Sequence, residues 1–226
     1  MVPRPVRLLV LLALFVGSLP RAGAAAPPAS VVFDFAGTPA QDGVPPPWSY
    51  RRWSPVVSLG DYVAEARVVE HAGQKVLRVT SHDSGFLVGR KLQVDVGILR
   101  HVTWGWLAET LPAGASFTKR ATNDQALQLL FGFAGGKVVG YLWDTRGPVG
   151  ATGSGLSWRE DVRVIVLQAG PANLGRWLTE ERDLYQDFVT LFGQPPPSLV
   201  GVAIQSNSQH TGTHGAGLVG PIRLSP

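Results

Sequence analysis

The chain contains no cysteine and a single methionine. Without a thiol it has neither a disulfide to staple the fold nor a cysteine nucleophile, so stability has to come from packing alone. Charged residues are scarce as well, 16% of 226 positions, for a formal net charge of +4. Much of that charge is N-terminal. Removing residues 1–24 takes away Arg4, Arg7 and Arg21 and no acid, which leaves 17 basic side chains (20 less 3) against 16 acidic ones. A near-neutral balance with one local doublet, Arg51-Arg52, argues against the basic patch that nucleic-acid binding needs. Long apolar runs are missing too. The run over residues 8–16 is too short to span a bilayer as a permanent helix.

That run has a different reading. Arg4 and Arg7 precede it and Ala22-Gly23-Ala24 follows at the spacing a signal peptidase needs, which predicts a secretory signal peptide over 1–24. The expected location is therefore periplasmic or secreted, with no transmembrane segment in the mature chain. Residues 25–226 are long enough for one domain with a substantial core. Their share of the 27 glycines and 18 prolines suits many short strands joined by turns.

The chain is organised around residues 125–143. Two apolar runs, QALQLLFGF and KVVGYLW, flank Ala134-Gly135-Gly136, a connection whose glycines accept the positive φ of a tight hairpin. Both runs are apolar at nearly every position, so the hairpin should be central and covered on both faces. A second hairpin is predicted over 62–81 around Ala72-Gly73. In the strand RHVTWGWLAE, Val102, Trp104 and Trp106 share one face, the expected core face, and His101, Thr103 and Gly105 the other. Trp48 and Trp53, beside the Pro45–Pro47 turn, are expected to cap the end of the body as core. One amphipathic helix is predicted over about 179–192. Leu184, Phe188 and Leu191 recur at helical spacing, acids lie near the start, and Gly193 with Pro195–Pro197 ends it. A polar glycine-rich loop over 207–217 and a last strand over 218–224 complete the chain, which has no internal repeat of fixed period.

Several motif-like strings carry no chemistry in their context. Ser81-His82-Asp83 is a polar turn, because a catalytic triad assembles from separate elements. Ser116 and Lys119 have S-x-x-K spacing but sit in a Gly- and Pro-flanked loop. The glycines of 147–157 lack the Lys-Ser/Thr ending of a phosphate loop. His210 and His214 have H-x-x-x-H spacing, but Gly212 and Gly215 argue against the helix that would align them, and there is no obvious third ligand. No metal and no cofactor is expected.

Trp48, TWGW at 103–106, Asn123-Asp124, YLW at 141–143, RDLYQDFVTLFGQPPP at 182–197 and residues 207–212 resemble, in this order, the bacterial family of domain of unknown function 3047. The resemblance implies an exported, mainly β domain: an antiparallel β-sandwich of jelly-roll or lectin-like type. It also implies that relatives carry an acidic pair before the central hairpin, an Arg within its first strand and a D-x-D-x-T motif near the C-terminus. Here Asn123-Asp124 keeps one acid, Gln128 stands at the Arg position, Asn207 and Gln209 replace both acids of the last motif, and Thr211 is kept. Losing these charges together reads as neutralisation of one linked polar network, since an amide keeps hydrogen-bonding capacity without charge. The expected ligand-binding residues are Asn123, Asp124, Gln128, Trp143, Asn207, Gln209 and Thr211.

Three readings stay open: a non-catalytic ligand-binding sandwich of the envelope, with a glycan or another envelope component as partner; a glycosidase-like enzyme; and a structural or assembly partner. A glycosidase needs two carboxyls across a cleft, for which Asp124, Glu109, Asp144 and Asp187 are the candidates. An exposed aromatic lining a groove favours the first reading, facing carboxyls the second and a broad apolar patch the third. The oligomeric state is open.

Overall fold

The computed structural model describes residues 30–52, 62–155 and 160–226. The expected signal peptide, most of the leader after it, Trp53 and Trp158 lie outside these residues. Alternating side chains dominate what is described. β1 (Val31–Phe33) and β2 (Ser49–Arg52) are short. β3 (Val63–His71) and β4 (Gln74–His82) form the second predicted hairpin, with Ala72 and Gly73 at φ of 49° and 76° in its turn. β5 (Gly85–Val94) and β6 (His101–Thr110) precede the central hairpin. That hairpin is β7 (Gln125–Phe133) and β8 (Lys137–Asp144), antiparallel, turned by Gly135 and Gly136 at φ of 82° and 80°. β9 (Thr152–Ser154), β10 (Asp161–Ala169), β11 (Leu178–Asp183), the helix α1 (Leu184–Phe192), β12 (Leu199–Asn207), β13 (His214–Val219) and β14 (Ile222–Ser225) follow.

Two seven-stranded sheets result among the described residues, which with the one α-helix there give the mainly β sandwich that the sequence predicts. In the first sheet β1, β14, β6, β13, β4 and β3 are neighbours in that order, and β11 pairs with β6. β13 and β14 are one strand in two pieces, both antiparallel to β6, with Val219 opposite Trp106 and Arg223 opposite Thr103. The break falls at Gly220-Pro221, where proline has no N–H for the ladder. The second sheet runs β2, β5, β12, β7, β8, β10, β9. Here β10 lies parallel to β8, a departure from the all-antiparallel expectation. The chain after β8 first places β9, which folds back antiparallel on the far side of β10, so β10 enters between them in the direction of β8.

The sheets meet along an aromatic seam. Trp104 and Trp106 of β6 are buried as the alternation requires, Trp104 stacked on Tyr141 (centroids 5.2 Å) and Trp106 tilted against Trp143 (5.8 Å). Trp106 Nε1–H donates to Glu180 Oε1 (3.0 Å), whereas Trp104 Nε1–H is buried without a partner. Trp48 is core as expected: it is buried, stacks on Phe35, and its Nε1–H donates to Asp34 O (2.7 Å). The outer face of the second sheet is covered at one end, where Phe117 packs on Leu142, Val164 and Val166.

Two predicted boundaries move. The helix begins at Leu184, not near 179, because residues 178–183 pair with β6 from Trp106 to His101. The acids there do not serve a helix terminus in common. Asp183 is the N-cap, accepting from Gln186 N (2.9 Å), while Glu180 accepts from Trp106 and from Gln168 Nε2 (2.8 Å). Gly193, at φ of 68°, closes the helix through its N–H to Val189 O (2.8 Å). At the C-terminus the predicted loop is shorter and the strand longer, starting at His214. Glycine there serves close packing: a Cβ on Gly217 would lie 2.6 Å from Leu107 O. No helix among the described residues is long and apolar enough to cross a membrane.

Leu184 and Phe188 of α1 are buried and Leu191 is half-buried against the same core. The Phe188 ring lies 4.6 Å from those of Phe133 and Phe192. Phe188→Ala is expected to destabilise by about 3–5 kcal/mol. Urea unfolding measures this, and an unchanged midpoint would mean that the helix does not pack as described.

Candidate functional site

The polar residues singled out above converge at one end of the sandwich. Asp124 precedes β7, Asn207 ends β12, and a loop from Ser208 to Thr213 crosses to β13 in the other sheet. Asp124 is fully buried, and its carboxylate accepts five hydrogen bonds. They come from Asn207 Nδ2 (2.9 Å), His210 N (3.2 Å), His210 Nδ1 (3.0 Å), Thr211 N (2.7 Å) and Thr211 Oγ1 (2.8 Å). Asn207 uses its whole amide. Oδ1 accepts from Gln128 Nε2 (2.7 Å) and Gln125 N (3.2 Å), and Nδ2 also donates to Asn123 O (2.9 Å). Gln125 Nε2 donates to Asn123 Oδ1 (2.9 Å) and to Asp144 Oδ1 (3.3 Å). A buried polar group without a partner is expensive, so this mutual satisfaction is what permits the knot to exist.

Of the seven expected site residues, Asn123, Asp124, Gln128, Asn207 and Thr211 are brought together. Gln128 and Asn207, where the resemblance expects Arg and Asp, touch directly. Gln209 is not part of the knot, and its Oε1 is buried with no partner. Trp143 is a core residue in the seam. Sequence reasoning missed His210 and Gln125, whose roles depend on contacts across more than 80 positions and within a turn; His210 had only its spacing to His214 to mark it. His214 instead stacks on His82 (3.8 Å). Among the described residues no group of three His, Cys, Asp or Glu could hold a metal ion.

Of the four candidate carboxylates, Asp144 joins the network of Asp124 through Gln125 and Asn207, and Asp187 and Glu109 have other partners. Asp144 is fully buried and accepts from Phe117 N (3.0 Å), Gln125 Nε2 (3.3 Å), Arg146 N (3.2 Å) and Gly147 N (2.5 Å). Asp187 receives two bonds from Arg182 (2.6 and 2.9 Å) and one from Tyr141 OH (2.7 Å). Burial, reinforced by the Asp187 charge, pushes the Tyr141 phenol well above its ordinary value, so it stays a donor. Glu109 pairs with Arg78 (2.9 Å). Each of the four is engaged by its own donors.

A second feature lies on the outer face of the first sheet. Trp177, just before β11, is half-buried with its ring over Gly105 and Gly220. A Cβ on Gly105 would come within 2.3 Å of that ring, so glycine is required beneath it. His71, from the β3–β4 turn, stacks on it (5.0 Å). Beside it are two adjoining depressions at the Gly220-Pro221 break, of about 210 and 400 Å³, which share Val32, Gln74, Pro221 and Arg223. The smaller is also lined by Trp177, Thr103 and Thr179. Its only sequence signal was the tryptophan itself.

The model of the family described as protein of unknown function (DUF3047) matches residues 52–223. The chain belongs to that family. No curated protein matches it in sequence. Among solved structures it is similar to the family 11 carbohydrate-binding module of a cellulosomal cellulase of Clostridium thermocellum: 9% identity, 87% of this chain and 94% of that one covered, TM-score 0.43. It is also similar to the xyloglucanase domain of a type three effector from Sinorhizobium fredii in complex with cellobiose: 10% identity, 84% and 94% covered, TM-score 0.46. A loop-swap mutant of Xyn11A from Necallimastix patriciarum is 11% identical, with 85% and 92% covered and a TM-score of 0.36.

The Gln128–Asn207 contact is measurable. Asn207→Ala is expected to cost about 1–3 kcal/mol, because it orphans Gln128 Nε2 and Gln125 N–H. In a double-mutant cycle with Gln128→Ala, denaturant unfolding should show a coupling of about 0.5–3 kcal/mol. Additive effects within error would mean that the two amides do not meet.

Proposed function

We propose that this protein is an exported, non-catalytic glycan-binding β-sandwich of the cell envelope, with its binding surface on the outer face of the first sheet. The observation that carries this reading is Trp177. Trp48, Trp104, Trp106 and Trp143 are buried, while Trp177 keeps part of its side chain accessible beside a depression. An indole offers large apolar area on a rigid frame; His71 stacks on part of it, and the part left accessible at the depression is complementary to the C–H face of a sugar ring. Thr103, Thr179 and Gln74 stand around the same depression with hydroxyl and amide groups for the sugar hydroxyls. The carboxylates argue for binding over hydrolysis, since the four candidates are each satisfied by protein donors and none lines either depression. The exposed large apolar side chains, among them Val32, Ile98, Val149 and Val200, are scattered over separate elements, which disfavours the assembly reading.

Affinity gel electrophoresis of the protein in gels containing a panel of plant, fungal and bacterial polysaccharides tests it. At least one should retard the wild-type protein, and Trp177→Ala should weaken that retardation by about tenfold or more while the protein stays folded by circular dichroism. A wild-type protein that no polysaccharide retards would sink the glycan reading. Undiminished retardation of folded Trp177→Ala would move the surface elsewhere. Export rests on Arg4, Arg7, the apolar run and Ala22-Gly23-Ala24. N-terminal sequencing of protein from a periplasmic extract should start near Ala25, and an intact Met1 in the cytoplasm would overturn it.

A further inference from the structure

Beside Trp177 the two depressions share one charged group that a neutral sugar does not call for. Arg223 belongs to β14, and the ladder places Val32 on one side of it and Thr103 on the other. It is exposed, lines both depressions, and donates through Nη1 to Ser30 Oγ (3.0 Å), an uncharged partner. No carboxylate among the described residues lies within ion-pair distance of it, although Arg78, Arg100, Arg163 and Arg182 each have one. The other charges nearby are few. Lys75 and Asp34 line the larger depression, Asp34 Oδ1 accepting from Ala36 N (3.2 Å), and Glu181 sits across Thr103 on β11 but lines neither.

We infer that the groove selects an acidic saccharide, a chain containing uronic acid, with one ring against Trp177 and a carboxylate on the Arg223 guanidinium. This rests on the glycan-binding reading and adds the ligand's chemical class. Spacing supports it. Gly105, beneath the Trp177 ring, is two residues along β6 from Thr103, and Arg223 is one strand over. That puts the backbone beneath the indole and the backbone of Arg223 about 7 Å apart along the strands and about 5 Å across them, so a guanidinium swung from Ser30 toward Trp177 would come within reach of neighbouring sugars of one chain. The chemistry supports it too. Guanidinium presents a planar fork that matches a carboxylate bidentately.

The test is affinity electrophoresis of the full chain against polygalacturonate and alginate, with xylan and mixed-linkage β-glucan as neutral polymers and dextran sulfate as a polyanion without carboxylates. The expected result is preferential retardation by an acidic polysaccharide. Arg223→Gln should lose about tenfold in affinity for it, and Arg223→Lys should lose part of that, because a point charge replaces the fork. Added salt should weaken acidic binding and leave any neutral binding unchanged, a readout on the wild-type protein that does not depend on a variant folding. Equal or stronger retardation by neutral polymers, equal retardation by dextran sulfate, or unchanged acidic binding in folded Arg223→Gln would overturn the inference while leaving the glycan reading standing. Retardation by none of these polymers would overturn the inference, and the wider polysaccharide panel decides the glycan reading.

Discussion

Everything in this molecule hangs on the contact between Trp104 and Trp106 in one sheet and Tyr141 and Trp143 in the other. A chain with no cysteine has no disulfide between its sheets, so packing has to hold them together. Large aromatic side chains do this well because each buries a great deal of area and their edge-to-face and offset stacks restrict how the sheets can slide. Across the seam Trp104 stacks on Tyr141 and Trp106 tilts against Trp143, while Trp104 and Trp106 meet edge to face within β6. The polar groups at the seam serve its geometry. Glu180 accepts from Trp106, and Tyr141 donates to Asp187, which Arg182 clamps, so the edge strand β11 and the helix after it are tied to the same rings.

The knot around Asp124 works on the same principle with different atoms. A buried carboxylate is tolerable only when donors surround it, and here two backbone N–H groups, an amide, a hydroxyl and an imidazole do so. Its consequence is to pin the crossing from β12 to β13, and with it the register of the strand that continues into β14. That strand is interrupted at Gly220-Pro221, and the interruption, with Trp177 laid over two glycines beside it, gives the first sheet the relief on its outer face that a flat ladder lacks.

The same residue types therefore do opposite jobs in the two places. At the knot, amides and hydroxyls are turned inward and satisfied by one another, which leaves little for a ligand. At the groove, Thr103, Thr179, Gln74 and Arg223 face outward from a sheet surface and keep capacity to bind. Residue type alone does not separate these cases, since Gln128 and Gln74 carry identical chemistry and differ only in what is packed against them.

The sequence by itself determined whatever depends on neighbours along the chain. Period-two alternation sent Trp104 and Trp106 to the core, paired glycines at 135–136 and the Ala72-Gly73 turn set two hairpins, and Gly193 ended the helix in a left-handed residue. Most polar positions of the knot were also legible, through the joint departure of Asn123, Gln128, Asn207 and Gln209 from the pattern their resemblance implies, although Gln209 does not join it. What only the tertiary structure decided depends on partners far away in sequence. Residues 178–183 are a strand because β6 offers them a ladder, an advantage local helical spacing cannot register. His210 reaches Asp124 across 86 positions. Trp177 packs close on a sheet face, half-buried, because Gly105 and Gly220, brought side by side, have no Cβ to hold it off. Backbone hydrogen bonds and side-chain contacts of this kind are made between elements, and their energy exists only once the elements have met.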